Sequence, residues 1–248
     1  TETKNYTNAI SLFQKTIKIQ PKHALAYNNL GMIFAEQDKF VNALLCLKNA
    51  IELDPDLTNT RNNLCILLRS LTPNTLSEKE EEEFKNLFLI LYKRNDIDHD
   101  DIFKGAKNVL FYKKNYKEVL LQKNFQSLLK NSDIQKLINE DLFLLMLQKS
   151  LISDERLEQI LVQLRKEMLI KHSDNEIEEI NNQLDFIISL AEQCFLNEYV
   201  YIQSQNEINK IILLESNLEK KEKISELDVA ILACYVPLNR SKKIKEML

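Results

Sequence analysis

The densest group of potentially reactive side chains in this sequence is Asp96, Asp98, His99, Asp100 and Asp101. Carboxylates at this spacing can hold a hard cation. A calcium loop also needs a central glycine for its turn and a late bidentate glutamate, and neither stands in place here. The acids directly precede Ile102–Phe103, where they suit the N-cap and first turn of a helix. A second group is Gln193, Cys194, Phe195, Asn197, Glu198 and Tyr199. A thiol among polar neighbours is a potential nucleophile, but it needs a base held within reach. The histidines, His23, His99 and His172, are all distant from it in sequence. The stretch therefore reads as a buried helix, with Cys194 in the core and Asn197 or Glu198 bonding a neighbouring backbone. Polar groups of this kind fix a fold, because leaving one unpaired costs about 1–3 kcal/mol. The lysines at 113–114, 220–221, 223 and 242–243 come in short runs among acids and read as solvated helix ends. No catalytic residue, metal site or cofactor is predicted.

The elements that position these residues must be helical. Glycine occurs twice, as Gly31 and Gly105, where ordinary usage of roughly 7 % predicts about seventeen. There is no G-x-G-x-x-G, no G-x-x-x-x-G-K and no G-x-S-x-G. Dinucleotide and phosphate loops need such glycines so that backbone amides can approach the ligand. With only 4 prolines as well, long helices are the default. The 248 residues are 44 % hydrophobic, enough for a sizeable core. A net charge of -4 and a pI near 5.6 argue against a general nucleic-acid or anionic-membrane binder. Cys46, Cys65, Cys194 and Cys234 form no C-x-x-C and lie in apolar stretches. They read as reduced core thiols of a cytoplasmic protein. No run is apolar for the ~18 residues that spanning a bilayer requires, and no secretory signal opens the chain. The first residue is Thr1 rather than an initiator methionine, and a longer parent chain is expected.

One internal repeat is legible. Residues 24–55 read ALAYNNLGMIFAEQDKFVNALLCLKNAIELDP. Tyr27, Leu30 and Phe34 recur at helical spacing and form one apolar stripe. Gly31 and Ala43 are small enough to let two helices approach, and Pro55 ends the second. Tyr27, Leu30, Gly31, Phe34, Ala43, Leu47, Ala50 and Pro55 occupy the places of the tetratricopeptide pattern, and the segment resembles that family closely. One period back lie Pro21, Ala9 and Phe13, the second helix of a preceding unit, with Thr16 where a small residue is usual. One period forward, Asn62-Asn63-Leu64 persists, but Arg61 replaces the aromatic and Cys65 the glycine. The array is expected to be a half unit, a full unit over 24–57 and a degenerate unit from 58 to 71 onward. In better-studied arrays of this family, asparagines on the first helix of each unit face a concave groove and bond a peptide backbone. The resemblance assigns that role to Asn28, Asn29, Asn62 and Asn63.

Thr72-Pro73-Asn74 breaks the pattern, and a second α-helical domain is expected over 72–248. Helices are predicted at about 77–94, 99–113, 116–130, 133–151, 154–171, 174–202, 204–218 and 225–235. Capping boxes at Ser77/Glu80, Ser132/Gln135 and Ser225/Asp228 open three of them. Leu142, Leu145, Met146 and Ile138 mark a central apolar helix. Leu157, Ile160, Leu161, Leu164 and Met168 form a clean amphipathic stripe. The run from Leu144 to Ile170, followed by Ser189–Tyr201, resembles the helical region of certain bacterial tetratricopeptide proteins that carry a predicted methyltransferase domain. In them the Gln193–Tyr199 stretch precedes the catalytic part, and the Ala233–Leu238 run fits the later portion of the region. By that resemblance any catalytic domain lies beyond Leu248.

The sequence thus predicts an all-α protein, a short tetratricopeptide-type array running into an irregular helical domain. Its predicted function is to bind a peptide or protein partner, with no catalytic site of its own. The alternative is a helical accessory region that positions substrate or joins subunits for a methyltransferase-like enzyme. A homodimer is also expected, because an uncapped repeat leaves apolar surface open.

Overall fold

The computed structural model describes residues 2–69, 71, 76–112, 114–121, 127–220 and 224–240. Thirteen α-helices and no strand occur among them. No helix of the described residues is long and apolar enough to cross a membrane. The chain divides into two compact units, residues 1–88 with 101–109, and residues 89–100 with 110–248.

The first unit begins with α1 (Glu2–Ile19), α2 (Ala24–Glu36), α3 (Phe40–Leu53) and α4 (Thr58–Arg69). His23 opens α2, its Nδ1 accepting from the Ala26 amide at 3.1 Å. A short turn then folds α3 back along α2. A Cβ placed on Gly31 would lie 3.0 Å from Leu47 Cγ and 3.1 Å from the Ala43 carbonyl, so the bare glycine permits this approach. Leu30, Ala43, Leu47 and Ala50 are buried in the resulting core. In the degenerate unit Leu64 and Leu68 keep their buried places. Most of α5 (Glu78–Tyr92) and of α6 (His99–Leu110) belongs to the same unit. The Ser77/Glu80 capping box forms as predicted, with Ser77 N donating to Glu80 Oε2 at 2.8 Å. Gly105 is the second close approach: a Cβ there would run into the Leu68 carbonyl, with Phe88 Cζ 3.0 Å away.

The second unit contains α7 (Lys114–Leu121), α8 (Ser132–Leu137), α9 (Asp141–Lys149), α10 (Glu155–Ser173), α11 (Leu184–Leu196), α12 (Gln205–Lys220) and α13 (Glu226–Ala233). The stripe of α10 forms the core as expected, with Leu157, Ile160, Leu161, Leu164 and Met168 all buried. Three predicted helices are shorter than their periodicity implied. The one placed at 116–130 ends at Leu121; residues 122–126 lie outside the described set, and Ser127 at φ 56° leads into a 3-10 turn over 128–130. The 133–151 prediction divides at Ile138–Glu140 into α8 and α9. Its N-cap is Asn131, one residue earlier than the predicted Ser132, and Gln135 turns back to donate to the Leu129 carbonyl at 2.6 Å. The 174–202 prediction keeps α11 with two 3-10 turns before it.

The helix ends explain part of that shortening. Asp38, Asn175 and Glu198 are left-handed at φ 58°, 61° and 56°. Each is followed by a residue whose amide reaches back to the helix: Lys39 to Phe34 O, Glu176 to Lys171 O and Tyr199 to Cys194 O. These are Schellman stops made without glycine. Asp and Asn tolerate this conformation; Glu does so at a cost. Tyr199 follows at φ 60°, an outlier for a bulky side chain.

A buried arginine ties the second unit together. The Arg165 guanidinium lies 4.3 Å from the centre of the Tyr235 ring and 5.5 Å from that of Tyr201. It donates to the Ile202 carbonyl at 3.0 Å and sits 3.8 Å from Glu207 Oε1. Glu207 also accepts from Tyr235 Oη at 3.0 Å and from Ser204 in a capping box that opens α12.

Candidate functional site

The predicted asparagines gather on α2 and α4. Asn28 is 7 % exposed and acts as a clamp between the two helices. Its Oδ1 accepts from Thr60 Oγ1 at 3.0 Å and from Asn63 Nδ2 at 3.4 Å, while its Nδ2 donates to Asn29 Oδ1 at 3.1 Å. Asn28 has thus spent its amide inside the protein. Asn29 and Asn62 are exposed and Asn63 is half-buried. Asn29 takes part as an acceptor through Oδ1 and Asn63 as a donor through Nδ2. An amide donor of the first and the amide oxygen of the second are the group types that pair with the carbonyl and N–H of an extended peptide. Thr60, fully buried beneath the pair, was missed from the sequence, because no local pattern marks a threonine as the partner of an asparagine on a distant helix.

The acidic group around His99 is divided among separate structural tasks. Asp96 receives Arg94 Nε at 2.9 Å and Nη2 at 2.8 Å. Asp98 accepts from the Asp100 amide at 3.0 Å, and Asp100 from the Leu151 amide at 2.8 Å. Asp101 pairs with Arg69. His99 stacks on Tyr92, ring centres 5.3 Å apart, with Nε2 2.9 Å from the Arg94 carbonyl. Among the described residues no three His, Cys, Asp or Glu side chains gather as metal ligands.

Cys194 is fully buried, and burial pushes its thiol up to about 11, against a smaller opposing pull from Arg165. A thiolate is disfavoured there. With the Gln193 amide turned so that its nitrogen faces the two carbonyls, the orientation its surroundings demand, it donates to Leu147 O at 3.0 Å and Ser150 O at 2.8 Å at the end of α9. Asn197 Oδ1 accepts from the Tyr199 amide at 3.2 Å, while Glu198 is exposed. Of the histidines, His172 meets a carboxylate: its Nε2 lies 2.8 Å from Asp228 Oδ1. Asp228 is also the third helical residue of α13 and closes the capping box with the N-cap Ser225, accepting from its amide at 3.3 Å. That double bonding makes the pair a brace between α10 and α13.

No curated protein and no solved structure matches the chain significantly. Residues 24–57 match the family model of the tetratricopeptide repeat, and the helix–turn–helix pair α2–α3 that they form, with the turn into α4, has that repeat's build.

Proposed function

We propose that this chain is a protein-interaction module that holds an extended peptide segment against the amide face of α2 and α4. The observation that supports the reading is that Asn28 bonds both neighbours, engaging the oxygen of exposed Asn29 and the nitrogen of half-buried Asn63, so that Asn29 Nδ2 and Asn63 Oδ1 are not used by that network. Such a pair reads backbone rather than side chains, so the recognition tolerates many sequences. Two inner helices make a short face and a modest affinity. The four free thiols fit work in a reducing compartment. On α1, Leu12 and Ile19 are 63 % and 79 % exposed, an apolar surface suited to a further repeat or a second copy of the chain.

The test is capture from a library of extended peptides by the wild-type chain and by an Asn29→Ala, Asn63→Ala double variant, with circular dichroism as the folding control. Each lost amide bond is worth about 1 kcal/mol, so the double variant is expected to bind ten- to thirtyfold more weakly. Equal capture by both proteins overturns the assignment of these residues. No capture by either folded protein rejects the peptide face and leaves the accessory-region reading as the better one.

A further inference from the structure

The buried stripe of α11, Ile187, Leu190, Ala191 and Cys194, continues at helical spacing to Tyr201 and Ile202, seven and eight residues beyond Cys194. No glycine or proline interrupts residues 195–203. The helix nevertheless ends at Leu196. The two residues that turn the chain, Glu198 and Tyr199, both stand at positive φ, 56° and 60°. Neither side chain favours that region. The turn also leaves Val200 72 % and Ile202 84 % exposed. Local propensity and the observed path disagree here, and a backbone of this kind persists only where its surroundings hold it.

The holding groups are the buried pair Arg165 and Glu207. Arg165 Nη2 donates to the Ile202 carbonyl at 3.0 Å, and its guanidinium lies over the Tyr201 ring. Glu207 Oε2 accepts from Ser204 N and Oγ at 2.8 and 2.7 Å, which fixes the residue where α12 begins. Arg165 and Glu207 are themselves 3.8 Å apart. One ion pair thus grips the far side of the turn, from α10 and from α12. Inside the turn the bonds are longer: Asn197 Oδ1 accepts from Tyr199 N at 3.2 Å, and Val200 N donates to Asn197 O at 3.2 Å. Tyr199 lines, with Phe195, a cleft of about 650 Å³ between α11 and α13, so the path of this segment sets part of that lining.

We propose that residues 197–203 form a two-state strap with the Arg165–Glu207 pair as its catch. In the caught form the helix stops as described. In the released form Arg165 lets go of Ile202, Glu198 and Tyr199 pass to right-handed backbone, and α11 runs on through Ile202. The extra turn shortens the connection to α12, so the Ser204 cap opens with it. The released form gains helical hydrogen bonds and relieves two positive φ angles; the caught form keeps the bonds of Arg165 and Glu207. The change carries Tyr199 out of its present place in the cleft, which makes the strap a conformational control on that lining.

The experiment is carbon relaxation dispersion on the isotope-labelled whole chain, read at the Cα atoms of residues 197–203. Wild type is expected to hold the released form at roughly 0.1–10 %, with Cα shifts displaced toward helical values at 198–202. Glu198 is exposed, so its variants act through the backbone. Glu198→Gly accepts positive φ and resists helix, and should lower the released form at least about tenfold. Glu198→Ala should raise it about twofold. A merely unravelled minor form would instead grow with glycine, and that result overturns the proposal. Arg165→Met combined with Glu207→Gln removes both charges together and should raise the released form at least about tenfold. An unchanged population in that folded variant rejects the catch; if the variant does not fold, the two Glu198 variants decide. Flat dispersion at 197–203 in both wild type and Glu198→Ala, or minor-form shifts displaced toward random coil, also overturns the strap.

Discussion

On α2 and α4 the polar groups are bonded to one another before any ligand arrives: Asn28 holds Thr60, Asn63 and Asn29, and only the outer edge of the network faces out. Between α11 and α13 the arrangement is the reverse. Apolar side chains are exposed there, Phe195 at 67 % and Ile188 at 40 %, beside two carboxylates, Glu192 and Glu226, in the lining of a cleft. A surface of the first kind offers few groups in fixed directions, which favours selectivity for hydrogen-bonding geometry; one of the second kind offers apolar area, whose burial releases water. The difference teaches that hydrogen-bond preorganisation and exposed apolar area are separate resources, here found in different units.

The largest effect is expected at the scaffold behind the cleft. Arg165→Leu leaves Glu207 buried without its cation and should lower stability by about 3–5 kcal/mol. Denaturant unfolding checks it, and a drop below about 1 kcal/mol would mean that the ion pair is not what holds α10 to α12. The amide face gives an intermediate effect that splits by residue. Asn28→Ala orphans the buried Thr60 hydroxyl and should cost about 1–2 kcal/mol. Asn29→Ala is exposed and should change stability by less than about 0.5 kcal/mol while still weakening peptide capture. If both variants behave alike in thermal melts, the clamp and the contact are not separate roles.

The smallest effect is the pH dependence at Glu192. Its folded-state pKa is raised, so the folded chain binds this proton more tightly than the unfolded chain does. The contribution is therefore most favourable at low pH and falls as pH rises through and just above the carboxylate range. Glu192→Gln should remove that slope, leaving the variant more stable than wild type at neutral pH by about 1 °C or less, because the group is largely exposed. A variant less stable than wild type at pH 7 would show that Lys149, not desolvation, dominates at this position.

Much of the fold was legible. The 3.6-residue period of Leu157 to Met168 placed the core face of α10, and the Ser77/Glu80 and Ser225/Asp228 pairs located two helix starts within a residue. What failed was continuity. Periodicity over 133–151 does not reveal that Ile138–Glu140 must leave the helix, because apolar spacing survives a break of that size. Nor does it reveal the stop after Leu196, where Glu198 and Tyr199 take a left-handed conformation that their residue types disfavour. The repeat pattern put Asn28, Asn29, Asn62 and Asn63 on the first helices of two units, but it did not show that Asn28 is buried there with Thr60.

By itself the sequence determined the helical class, through its scarcity of glycine and proline and its helical spacing of apolar residues. It also determined the repeat at 24–57, because the small residues that let two helices touch are local and periodic. The tertiary structure decided which polar groups are spent inside and which remain exposed. Asn28 and Thr60, Arg165 and Glu207, and His172 and Asp228 each meet across different helices. The cleft likewise exists only because α13 packs beside α11, which brings Ala191 and Ala230 into one lining. Such pairings depend on where distant segments meet after the apolar faces are buried, and no local pattern of residues records that.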